Sequence, residues 1–75
     1  MDELLSVGEV AARSGLAPST LRYYDEINLV APTTRVGGQR RYAPAVLPRL
    51  RIIAGCQQAG FTLEAIRALL DGRGD

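Results

Sequence analysis

Leu21-Arg22-Tyr23-Tyr24-Asp25-Glu26, followed after a short connection by Gly37-Gly38-Gln39-Arg40-Arg41-Tyr42, is the part of the sequence whose reading decides the fold. The first stretch puts an Arg and two Tyr near the end of a predicted helix. The second reads as a tight hairpin, since short segments flanking Gly-Gly form a two-residue turn in which both central positions favour positive φ. Two basic, aromatic, hydrogen-bonding tips side by side suit a nucleic-acid duplex better than a small molecule.

Working outward, Pro18 is placed for the first turn of that helix, where its missing N–H has no partner to lose, and the helix is predicted over Pro18 to about Glu26. Leu21 faces the core, with Ser19, Thr20, Arg22 and Tyr23 able to face outward. Tyr23 and Tyr24 diverge by about 100° around the axis, so one can be core and the other free. Asn28 is predicted at the left-handed exit, Leu29 and Val30 as anchors, and Pro32 prevents continuation. Upstream, Ser6-Val7-Gly8-Glu9 fits the S-x-x-E capping box. A helix from Val7 to Ser14 follows, closed by Gly15. Two short helices joined by a tight Gly-containing turn are the sequence form of a helix-turn-helix.

Downstream, Thr33 to Tyr42 is predicted to be a two-stranded wing. Ala43-Pro44 starts a third helix through Val46, Leu47, Leu50, Ile53, Ala54 and Gln57 to Ala59, with Gly60 as its stop. Pro48 is compatible with that helix only while it still lies in the first turn. Thr62 caps a fourth helix with Leu63, Ile66, Leu69 and Leu70 on its inner side, ended by Gly72. No repeat, linker or low-complexity stretch interrupts this order. The expectation is one mostly α domain over residues 1–75: helix-turn-helix at about 7–26, wing at about 33–42, helix pair at about 44–70.

Composition bounds the chemistry. At 75 residues a single core contributes roughly 3–5 kcal/mol, so single core changes matter. The sequence is 47% hydrophobic and 23% charged, ordinary for a globular chain. No run approaches the ~20 apolar residues of a membrane span, and Met1-Asp2-Glu3 lacks the basic start of a signal peptide. A cytoplasmic, non-membrane protein is expected. One Cys and no His exclude an intrachain disulfide and leave too few soft ligands for an internal zinc site. Cys56 reads as a small core residue. The acidic residues are scattered and no Ser/His/Asp set exists, so no enzyme and no cofactor is expected.

Net charge is only +1, yet residues 13–51 carry seven Arg against Asp25 and Glu26, while both flanks are net negative. Positive charge concentrated where the tips lie is an electrostatic footprint for phosphates; a solvated basic face is the plainer alternative. Arg22 can grip a phosphate or a guanine edge, or pair with Asp25 or Glu26. Arg40 and Arg41 alternate across a strand, one outward and one toward the body. Arg35 and Gln39 flank the turn, and Tyr42 either packs against the second helix or hydrogen-bonds a phosphate. Arg13, Arg49 and Arg51 read as a solvated face with some prospect of backbone contact.

Val7-Gly8-Glu9-Val10-Ala11, Gly15-Leu16, Leu21-Arg22-Tyr23-Tyr24-Asp25, Gly38-Gln39-Arg40-Arg41-Tyr42 and Gly60-Phe61-Thr62-Leu63-Glu64, in this order and spacing, resemble the DNA-binding domain of the MerR family of transcriptional regulators. The resemblance covers residues 6–70. It implies a winged helix-turn-helix with a following helix pair, and Pro18 to Glu26 as recognition helix in the major groove. It also implies Arg22, Tyr23 and Tyr24 as contacts of that helix, and Arg40-Arg41-Tyr42 as wing contacts to phosphate. Such proteins bind double-stranded promoter DNA as dimers and act on RNA polymerase indirectly, by reshaping the promoter. Ala17 stands where a Ser or Thr cap is common, and Asn28 where Gly is usual. The family continues into a long helix that pairs two subunits, so a homodimer is expected if such a helix follows Asp75 and a monomer otherwise. The rival expectation is a winged-helix protein-interaction or excisionase-like architectural module.

Overall fold

Leu5–Ser6 form a two-residue strand, β1, directly ahead of the first helix, an element the sequence did not announce. The computed structural model describes residues 3–72. Helix α1 (Val7–Ser14) and helix α2 (Pro18–Glu26) follow. Strands β2 (Thr34–Val36) and β3 (Gln39–Tyr42) come next, and α3 (Val46–Gln58) and α4 (Leu63–Gly72) complete the chain. The expected two-stranded wing is widened into a three-stranded antiparallel sheet of order β1-β3-β2. Leu5 lies opposite Tyr42 and Ser6 opposite Arg41. On the other side of β3, Arg35 lies opposite Arg40 and Val36 opposite Gln39.

Local chemistry sets the ends of the helices. The Ser6 hydroxyl accepts from the Glu9 amide at 3.1 Å and the Glu9 carboxylate accepts from the Ser6 amide at 2.8 Å, so the capping box is complete. Gly15, at φ 80°, closes α1 by donating to the Ala11 carbonyl. At the start of α2 Ala17 offers no side-chain cap, and Pro18 occupies the first turn. Its exit is a Schellman motif built on Asn28 at φ 61°, with Leu29 N–H donating to Tyr24 at 2.8 Å and Asn28 N–H to Asp25 at 3.1 Å. The end of α3 repeats the motif with Gly60, as Phe61 N–H donates to Cys56 and Gly60 N–H to Gln57, each at 3.0 Å.

The third helix starts later than its sequence pattern indicates. Pro44 and Ala45 form a turn, in which Val46 N–H donates to Ala43 and Leu47 N–H to Pro44, and α3 begins at Val46. Pro48 is therefore its third residue, still in the turn whose N–H groups have no intrahelical partners. In α4 the Thr62 hydroxyl accepts from the Ala65 amide at 3.1 Å. Ile66 is buried and Leu63 and Leu70 pack beside it, but Leu69 is 56% exposed, against the expectation that it faces inward. At about 100° per residue, Leu63 and Leu70 fall on one flank of Ile66 and Leu69 on the other. Residues after Gly72, including any stop for α4, lie outside the described residues.

One core joins all the elements except β2: Leu5, Val10, Leu21, Tyr24, Leu29, Val30, Tyr42, Val46, Leu50, Ile53 and Ile66 are buried. Cys56 is half-buried against it. Among the described residues no helix is long and apolar enough to cross a membrane.

Candidate nucleic-acid interface

Burial divides α2 lengthwise. Leu21 and Tyr24, three residues apart and so on one face, are 1% and 5% exposed, while Ser19, Arg22, Tyr23 and Glu26 face solvent and Thr20 is half-buried. The Tyr23 ring is 50% exposed and lies against Tyr24, centroids 6.5 Å apart and tilted by 47°. That tilted packing steadies an exposed aromatic without burying it. The divergence expected of the two tyrosines is thus resolved: Tyr23 is outward and Tyr24 is core, its hydroxyl donating to Gln57 Oε1 across a long 3.5 Å.

The wing is held by the turn and by charge. Gly37 and Gly38 take φ of 59° and 80°, the left-handed pair that a two-residue hairpin demands. Arg35, Val36 and Gln39 are exposed; Arg40 and Arg41 are half-buried. Arg35 and Arg40 are cross-strand partners, an arrangement in which like charges repel. Asp25 of α2 resolves the repulsion. Its Oδ2 accepts from Arg35 Nη2 at 3.1 Å and from Arg40 Nε at 2.9 Å.

This pairing bears on Arg22. Asp25 is engaged by the wing, and among the described residues Arg22 makes no ion pair, leaving its guanidinium exposed. Arg22 and Asp25 are one helical turn apart, so the acid that holds the wing arginines lies on the next turn of α2 from Arg22. The sequence reading missed Asp25 as a shared partner. Its signal was only that an acid one turn beyond Arg22 faced a hairpin with three arginines.

Arg41 alternates to the opposite face of β3 from Arg40, and with Arg13 it adds to the effects that hold Glu9 below its usual carboxylate range; the hydrogen bond from the Ser6 amide is the main cause. Tyr24 and Tyr42, both expected contacts of a duplex, are turned inward here. Tyr42 is 1% exposed because its side chain leaves the sheet on the side covered by the helices. Its hydroxyl is enclosed and has no hydrogen-bond partner among the described residues, and burial pushes the pKa of both phenols upward. Arg13 and Arg51 flank a shallow cleft of about 300 Å³ floored by Leu16, Leu47 and Leu50, away from the α2–wing surface.

A two-helix unit with a hairpin at its side, all resting on one core, is a winged helix-turn-helix. The chain belongs to the MerR HTH family of regulatory proteins, whose family model matches residues 5–73. It is 45% identical over 67 residues to the HTH-type transcriptional activator TipA of Streptomyces coelicolor, covering 88% of this chain and 26% of that protein. It is 40% identical over 70 residues to the HTH-type transcriptional regulator ZntR of Escherichia coli K12, covering 92% of this chain and 50% of ZntR. A crystal structure of a MerR-family transcriptional regulator from Bacillus cereus superposes with a TM-score of 0.81 at 30% identity, covering 91% of this chain and 52% of that one. The chain thus spans about half the length of these relatives or less.

Proposed function

We propose that this chain is the sequence-specific double-stranded-DNA-binding module of a MerR-type transcriptional regulator. The reading helix is α2, entering the major groove with Ser19, Thr20, Arg22 and Tyr23. Phosphates are gripped by Arg35, Gln39 and Arg41 of the wing. Arg40, mostly covered and bound to Asp25, serves the wing from behind, and Tyr24 and Tyr42 support the interface from the core. The observation that carries this reading is the freedom of Arg22: an exposed guanidinium on α2 that makes no ion pair among the described residues, while Asp25, one turn along the helix, is taken by the wing. Relatives named as transcriptional activators and regulators support the same reading.

The partner is promoter DNA, with RNA polymerase affected through the shape of the DNA, and a homodimer forms where a pairing helix follows this domain. A single copy reaches one half-site, so its binding is weak until a second copy fixes the spacing. Phosphate neutralisation predicts that log affinity falls linearly with log salt, by about 0.9 for each contact. Arg41→Ala lowers that slope by about one contact. Arg22→Ala costs about 1–3 kcal/mol on a preferred duplex and little on a scrambled one. Binding that is insensitive to salt, or equal loss on both duplexes for Arg22→Ala, defeats the assignment.

A further inference from the structure

Among the described residues, the contacts of Asp25 with Arg35 and Arg40 are the only hydrogen bonds or ion pairs joining α2 to the hairpin. A single oxygen takes both, and the two arginines differ in what they keep. Arg40, 23% exposed, gives its Nε and is enclosed, whereas Arg35, 50% exposed, gives one Nη2 and keeps the rest of its fork at the surface. Asp25 itself is 16% exposed and sits behind that fork. A guanidinium pinned on one side has lost much of its rotamer freedom before any ligand arrives, which lowers the cost of ordering it on binding.

We infer that Asp25 is a positioning residue for recognition: by binding Arg35 and Arg40 it sets the wing against α2 and aims the free edge of Arg35 at a phosphate, in register with the bases met by Arg22. The inference rests on the DNA-binding reading above and extends it to a residue that touches no DNA. Its effects on specific and non-specific binding have opposite signs. As a negative charge beside the interface, Asp25 repels any phosphate backbone, so its removal strengthens binding to arbitrary DNA. As the link that fixes the wing, it strengthens binding only where bases and phosphates must be met together.

The test uses the 75-residue chain and a duplex selected by the wild type from a randomised pool, with a scrambled duplex of equal length as control. Affinities for both are measured over a salt series for the wild type, Asp25→Asn and Asp25→Glu, and amide hydrogen exchange is followed across residues 34–42. Asp25→Asn is expected to bind scrambled duplex as tightly as the wild type or more so. Its ratio of selected to scrambled affinity is expected to fall by about fivefold, within the coupling seen inside one ion-pair network, and its wing amides exchange faster. Asp25→Glu, which retains the charge, restores most of the ratio. An unchanged ratio in Asp25→Asn, or a parallel fall on both duplexes that tracks lost folding, overturns the inference. Should the wild type select no duplex at all, the DNA reading fails first and the role of Asp25 falls with it. An unchanged ratio in a wild type that does select removes only the coupling.

Discussion

The helix-turn-helix and the wing lie side by side yet are held in different ways. Helices α1 and α2 carry their own terminators, Gly15 and Asn28, and with the exit of α2 they sink Val10, Leu21, Tyr24, Leu29 and Val30 into the core. The hairpin β2–β3 sinks only Tyr42: every residue of β2 is exposed, and β3 is exposed at Gln39 and half-covered at its two arginines. Its place depends on pairing with Leu5–Ser6 and on the acid it borrows from α2. Helix α2 is therefore set by burial, and the wing by long-range pairing and charge. Segments with few buried contacts open at lower free-energy cost than the core, so the wing is the part that salt and ligand can move.

The largest effect that would break this contrast is Leu21→Ala. Truncating a fully buried Leu costs about 2–5 kcal/mol, comparable to the whole stability of so small a core, roughly 3–5 kcal/mol. A urea titration followed by circular dichroism should find the variant largely unfolded, whereas Val36→Ser at the exposed wing shifts the midpoint by less than about 0.5 kcal/mol. Next is Gly38→Val. A Cβ at this position, φ 80°, meets nothing within 4 Å, so the main cost is backbone strain of about 1–2 kcal/mol. It should appear as faster amide exchange in the wing, with the helical signal retained.

Ser6→Ala, which removes half of the capping box, should cost about 1 kcal/mol in the same urea assay. The box also carries a pH signature. Because the folded-state pKa of Glu9 is depressed below its ordinary 4.5, its contribution is complete above that value and is lost as pH falls through the depressed one. Acid titration of Glu9→Gln should show a shallower loss of stability over that range. The smallest change is Tyr42→Phe. Removing an enclosed hydroxyl that has no partner among the described residues should leave stability unchanged or raise it by about 1 kcal/mol. Burial raises the Tyr42 pKa above 10.0. The stabilisation is present below 10.0, where the phenol is neutral in both folded and unfolded chains, and is lost as pH rises through the folded value. Tyr42→Phe should therefore retain more of its stability in alkaline melts.

The same contrast explains what the sequence disclosed. Both helices of the helix-turn-helix and the Gly-Gly turn carry local signals, namely a capping box, a proline at a helix start, and residues suited to positive φ, and each stands where those signals put it. Strand β1 was not legible because two residues show no periodicity and Leu5–Ser6 is a strand only by pairing with β3, more than thirty positions away. The start of α3 was displaced because Pro44 suits a turn before a helix as well as a first turn within one. At the candidate site, the outward faces of Arg22 and Tyr23 followed from the α2 repeat. The inward turn of Tyr42 and the sharing of Asp25 depend on contacts 10 and 15 residues apart, or on packing against distant helices, which spacing alone does not encode.

The central claim, that the outer face of α2 and the wing form one duplex-binding surface, is tested most directly by titrating the isotope-labelled chain with a short selected duplex and following backbone amide resonances. The account predicts that shifts concentrate at Ser19–Tyr23 and at Arg35–Arg41, with both groups moving together along the titration. Shifts confined to the exposed apolar residues Ile52, Phe61 and Leu69 of the helix pair, with α2 and the wing unmoved, would contradict it.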